Sequence, residues 1–204
     1  MHLLHLKPKE HSALSDGQGL PEEYCDYGRD MMALDFCSLS DHDSGFSHRG
    51  IFVTILGYEY LPRFSLYYCT GYYLNDDGPL MRGEDELYAY EASHYSGKLI
   101  TPQEICKTIR GKKALIIPHH TGHRGTGGYD WDYHDGELQR LVEIYSKFGS
   151  SEYPNSLKPL GTQAANRFVQ NALERGYRLG FTGGSDTHVG RPGSDGFDLS
   201  LIHI

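Results

Sequence analysis

Six segments of this chain carry groups able to do chemistry: HSALSDG (11–17), SDHD (40–43), GYE (57–59), IPHHTGH (117–123), VEIYS (142–146) and GGSDTH (183–188). Most of them follow or end a short apolar run of the kind that forms a buried strand. Side chains at the ends of several strands converge on one pocket in α/β architectures. A convergent set of His, Asp and Glu offers nitrogen and oxygen donors from separate elements, which is how a site for more than one divalent cation is assembled. The chemistry open to such a site is hydrolysis by a metal-activated water.

Each segment also has an ordinary explanation. The Ser15-Asp16-Gly17 sequence is a common turn, Asp41-His42-Asp43 is a usual polar loop, and Glu59 would be unremarked on an exposed edge strand. Glu59, however, stands in the apolar run ILGYEYL, where an unpaired carboxylate is costly to bury and needs a cation or strong donors. IPHHTGH presents three imidazoles after an apolar strand, and neutral imidazole suits zinc, manganese or iron. In GGSDTH, two glycines allow close backbone approach, and Asp186 and His188 alternate onto one side. Coincidence explains one such segment more easily than the whole set. Other motifs fail. GGSDT lacks the last Gly of a nucleophile elbow. DWDYHDG (130–136) begins like a calcium loop but has Asp135 at the Gly position. There is no GxxxxGK[ST] and no HExxH.

The elements that must position these groups alternate in type. Helices are predicted over 21–33, 101–111 and 161–176, the second from Thr101, Pro102, Glu104 and Gly111 as cap, opening residue, capping-box partner and stop. In the third, Thr162 is the expected cap and Gly176 the stop. Strands are predicted over 35–40, 51–60, 113–120, within 136–146 and over 177–184, with the Tyr-rich 65–74 read as an added hairpin arm and 75–98 as a surface insertion. Alternation of this kind indicates an α/β chain with a largely parallel sheet.

Composition bounds the partners. The chain of 204 residues is expected to form one domain over 1–198. A net charge of −8 argues against a general nucleic-acid surface, which is usually basic. No apolar run approaches the roughly 20 residues that span a membrane, and MHLLHLKPKEHS is too charged for a secretion signal. The four cysteines show no CxxC pairing and are expected to be reduced core thiols of a cytoplasmic protein. The last six residues, LSLIHI, resemble the translation of a sequencing adapter, so residues 199–204 are set apart and the fold is expected to be truncated at its C-terminal side.

Taken in order, HSxxSDG, SDHD, GYE, IPHH, EIYS and SDTH resemble the motifs of the PHP superfamily, named for polymerase and histidinol phosphatase, and within it the stand-alone bacterial PHP-like phosphoesterases. The resemblance runs from about residue 9 to 193. It implies a distorted, TIM-like (β/α)7 barrel that binds two to three divalent ions (zinc, manganese or iron) and hydrolyses small-molecule phosphate esters. Carried over position by position, His11, Asp16, His42, Glu59, His119, Asp186 and His188 match metal ligands, and Glu143 falls near another ligand position. Glu59 and Asp186 would bridge metals or orient the nucleophile, and His120, where the family often has Pro, would serve catalysis. His123, Arg124 and Arg191 are the candidate substrate contacts, with Lys147 a further candidate anion contact. The chain departs from the family where Lys9-Glu10-His11 replaces His-x-His, and the interval from SDHD to GYE is short. These departures motivate one alternative, a non-catalytic metal-binding domain; a metal hydrolase of C–N bonds is a further one. Neither the substrate nor the oligomeric state is legible in the sequence.

Overall fold

The structure is a computed structural model that describes residues 6–7, 11–13, 17–32, 36–37, 39–40, 56–60, 67, 69–74, 101–124, 128–189 and 191–192. In chain order the elements are β1 (Leu6–Lys7), α1 (Pro21–Asp26), a π-helical turn (Tyr27–Met31), β2 (Phe36–Cys37), β3 (Leu56–Tyr60), β4 (Cys69–Tyr73) and α2 (Pro102–Ile109). They continue with β5 (Ala114–Pro118), a 3₁₀ turn (Trp131–Tyr133), β6 (Leu141–Ser146), β7 (Gly149–Ser150), α3 (Val169–Glu174) and β8 (Gly180–Gly183). The fold is mixed α/β, as expected. Its described strands form three sheets, β1-β2, β3-β4-β5 and β7-β6-β8, and do not close into a barrel.

The Tyr-rich strand corrects the sequence reading. β4 is not an arm; it lies between β3 and β5 and runs antiparallel to both. Among the described strands, parallel pairing is likewise confined to β1 with β2 and β6 with β8. Strand periodicity explains why β4 is buried at every position. The register Glu59↔Thr70↔Ile117 defines one face of the sheet and Tyr60↔Cys69↔Pro118 the other. Tyr60, Cys69, Tyr73 and Ile116 enter the hydrophobic core on the second face. Glu59 and Thr70 point to the first, and His119, two residues beyond Ile117, follows them there.

Caps and glycines set the helix ends. Thr101 Oγ1 accepts from the Glu104 N–H (3.2 Å) while Glu104 Oε2 accepts from the Thr101 N–H (2.9 Å), the reciprocal box expected from sequence. Pro102, Ile105, Cys106 and Ile109 then form the buried stripe of α2. The third helix is shorter than predicted. It begins after Phe168 rather than Thr162, because residues 161–167 are held by irregular bonds such as Ala164 N–H to Gly122 carbonyl (2.9 Å). It stops where expected, with Gly176 at φ +83°.

The core joins the two larger sheets around Tyr67, Tyr129, Trp131, Val142 and Val169. Gln139 is fully buried in it and donates from Nε2 to the Tyr67 (2.8 Å) and Tyr129 (2.6 Å) hydroxyls. Trp131 Nε1 donates to the Arg167 carbonyl at 2.9 Å. These bonds let polar groups sit inside without the cost of an unmet donor. Burial raises the thiol pKa values of Cys69 and Cys106, which keeps both protonated and inert. No helix among the described residues is long and apolar enough to cross a membrane.

Candidate metal centre

The site lies where the C-terminal ends of β3, β5 and β8 meet the middle of β6. Glu59 comes from β3, His119 and His120 from just after β5, Glu143 from β6, and Asp186 and His188 from the turn after β8. A loop from the N-terminal region adds His11. It is docked by backbone bonds, His11 N–H to Thr187 carbonyl (3.2 Å) and Gln18 N–H to His188 carbonyl (2.8 Å). Gly17 closes that loop, and a Cβ there would lie 2.1 Å from the His11 carbonyl oxygen. Position 17 therefore needs glycine for close approach.

Six side chains alternate acid and base in one continuous chain of contacts. His119 Nε2 is 2.7 Å from Glu59 Oε1. Glu59 Oε2 is 3.1 Å from His11 Nε2, which is also 3.3 Å from Asp186 Oδ1. Asp186 Oδ2 is 2.8 Å from His120 Nε2, and His120 Nδ1 is 3.5 Å from Glu143 Oε1. All six residues are buried. His188 joins from the rim, its ring stacked on His11 at 4.4 Å.

Two features of the backbone aim these groups. His120 and Asp186, which touch, have φ of +47° and +50°. That region costs a non-glycine residue about 1–3 kcal/mol, and strain of this kind persists where surrounding contacts over-determine it, often at functional sites. A β-bulge lies between Glu143 and Tyr145, where β6 pairs with β8. It breaks the two-residue alternation, so Glu143 and Ser146 both approach His120 Nδ1, at 3.5 and 3.4 Å.

The donor set fits divalent metal ions. One ligand atom from each of His11, Asp186 and His188 lies within 4.8 Å of the others, a spacing one cation can span. Second partners orient the rings: Thr70 Oγ1 is 3.4 Å from His119 Nδ1, and the Asp186 carbonyl is 3.1 Å from His188 Nδ1. A His188 that donates from Nδ1 to that carbonyl presents Nε2 as a ligand. Lys147 Nζ competes for the same nitrogen at 2.6 Å.

The structure thus brings together His11, Glu59, His119, His120, Glu143, Asp186 and His188. His120, expected to serve catalysis, is as much a part of the cluster as His119. Glu143 sits in the middle of β6 rather than at its end. Asp16 and His42 lie outside the described residues, as do Lys9, Asp41 and Asp43. His123 turns to Thr162, with Nε2 2.9 Å from Oγ1, and burial lowers its pKa. Arg124 and Arg191 are exposed. Thr70, Ser146 and Phe148 were not singled out by sequence. Only strand register, the bulge and the hairpin reveal them.

Two solved structures resemble this one. One is a "putative metal-dependent phosphoesterase" from Bifidobacterium adolescentis, with a TM-score of 0.56 and 14% identity over 93% of this chain and 91% of that one. The other is PsfC from Pseudomonas syringae, with a TM-score of 0.55 and 14% identity over 91% of this chain and 76% of that one. The fold is shared. At 14% identity the likeness shows the architecture alone. No family model and no curated protein sequence matches the chain.

Proposed function

We propose that this protein is a metal-dependent hydrolase of small-molecule phosphate esters. The observation that carries the reading is the buried chain His119–Glu59–His11–Asp186–His120–Glu143 with His188 at its rim. Three buried carboxylates interleaved with imidazoles are expensive unless cations compensate them, and a hydrolase site supplies the reason to retain them. Under this proposal the described sheets are parts of a distorted (β/α)7 barrel. His11, Glu59, His119, Glu143, Asp186 and His188, with Asp16 and His42, would hold two to three ions of zinc, manganese or iron.

Bound divalent ions would supply activation of a water molecule and charge stabilisation of the transferring phosphoryl group. The protein's own groups do the rest. Glu59 and Asp186 each offer both oxygens to the centre, which suits bridging and orientation of the nucleophile. His120, between Asp186 and Glu143, is placed to give or take a proton at Nε2. The Lys147 ammonium at the rim would attract the substrate anion. Burial of the six inner groups keeps bulk water from screening these charges.

The test is elemental analysis of protein purified without chelators, paired with hydrolysis of 4-nitrophenyl phosphate. Two to three equivalents of metal are expected. His119→Ala and Asp186→Ala should each lower kcat/KM by at least about 100-fold, the scale of losing a group that acts in the transition state. A loss below tenfold in both variants, or a chain that takes up no metal on titration, would exclude the reading.

A further inference from the structure

The short hairpin between β6 and β7 carries Lys147 and Phe148 at its tip, beside the histidine cluster. The Phe148 ring meets His120 edge-on, with centroids 5.0 Å apart and planes at 78°, yet it stays 50% exposed. Lys147 Nζ is 2.6 Å from His188 Nδ1 and 4.9 Å over the Phe148 ring. One cation therefore touches both the rim ligand and the aromatic ring. An isolated exposed aromatic needs no explanation. This one borders the site, contacts a cluster histidine and shares its lysine.

The tip is also held in place. Ser146 Oγ accepts from the Phe148 N–H (3.3 Å) and lies 3.4 Å from His120 Nδ1. Gly149 closes the turn at φ +125°, where a Cβ would fall 2.8 Å from Pro159 backbone, so the hairpin is packed directly on the 158–160 segment. The Ser150 N–H donates to the Lys158 carbonyl at 2.7 Å. A rigid aromatic face loses little freedom on binding. Val189, which follows His188, is 52% exposed.

We infer that Phe148 is the specificity element of this site and that it selects phosphate esters with a planar aromatic leaving group. The inference rests on the phosphoester reading above. The phosphoryl end is drawn to the cluster and to Lys147, and the aromatic group stacks on, or meets edge-on, the open side of Phe148. Ring–ring contact of this kind discriminates an aryl from an alkyl ester by about three- to tenfold.

The experiment compares binding of phenylphosphonate and methylphosphonate, which cannot be hydrolysed, to the metal-loaded protein by calorimetry. Metal content is measured on each sample. Phenylphosphonate is expected to bind about three- to tenfold more tightly. Phe148→Ala should bring the ratio of the two affinities close to one with metal content retained, and Phe148→Trp should restore it. Lys147→Ala should weaken both ligands and keep their ratio. Equal binding of the two ligands by the unaltered protein, or a preference that survives Phe148→Ala, overturns the inference while leaving the phosphoester reading intact. Binding of neither ligand to protein of full metal content overturns both.

Discussion

His134 shows how a single half-buried imidazole ties stability to pH. Its ring stacks on Tyr177 at 4.2 Å, and burial, partly opposed by Asp135, lowers its pKa below the ordinary 6.5. The folded protein therefore binds fewer protons at this residue than the unfolded chain does between the lowered value and 6.5. Stability should rise with pH through that window and level off above it, and fall as the pH drops below 6.5. Melting curves are expected to show a lower Tm at pH 5.5 than at pH 7.5. His134→Phe should reduce that difference, because the phenyl ring keeps the stack without a charge to desolvate. An identical pH difference in the variant would show that His134 is not responsible.

At the scale of elements, α2 and β4 make opposite points. The start of α2 is a local device, a capping box written in residues 101–104. Thr101→Ala is expected to cost about 1 kcal/mol and lower Tm by about 2–4 °C, while Thr101→Ser should cost much less. A thermal melt checks this, and an unchanged Tm for the alanine variant would mean that tertiary packing alone holds the helix start. β4 is a non-local device. Its Tyr-rich sequence is compatible with an arm, and it becomes a central strand only because β3 and β5 pair on both its edges. The consequence reaches the site: the Glu59↔Thr70↔Ile117 register puts a threonine beside His119.

For the whole molecule, the cluster links regions that are distant in sequence, from His11 to His188. Ions bound there would stabilise the folded state by mass action, because an unfolded chain does not present the set together. At free metal 100 times Kd, the gain for one site is about 2.7 kcal/mol. Removing metal with a chelator should therefore lower Tm by roughly 5–10 °C, and re-addition should restore it. His119→Ala protein should respond less. A melt indifferent to the chelator would argue that hydrogen bonds among the imidazoles and carboxylates are enough to hold the cluster.

Local patterning was sufficient for much of this protein. The order of the motifs, the capping box of α2, the glycine stop of α3 and the strands that end near the histidines all follow from short-range rules of sterics and hydrogen bonding. Most of the candidate ligands were legible for the same reason, since an acidic or imidazole group in an apolar run has few cheap alternatives. What tertiary structure decided was pairing. The central place of β4, the bulge that turns Glu143 and Ser146 together, the left-handed backbone of His120 and the hairpin tip that sets Lys147 beside His188 each depend on contacts between residues far apart in the chain. A side chain's type is a property of its own position, but the face it presents depends on the register with its neighbours. A shift of one residue would send Glu59 into the apolar core.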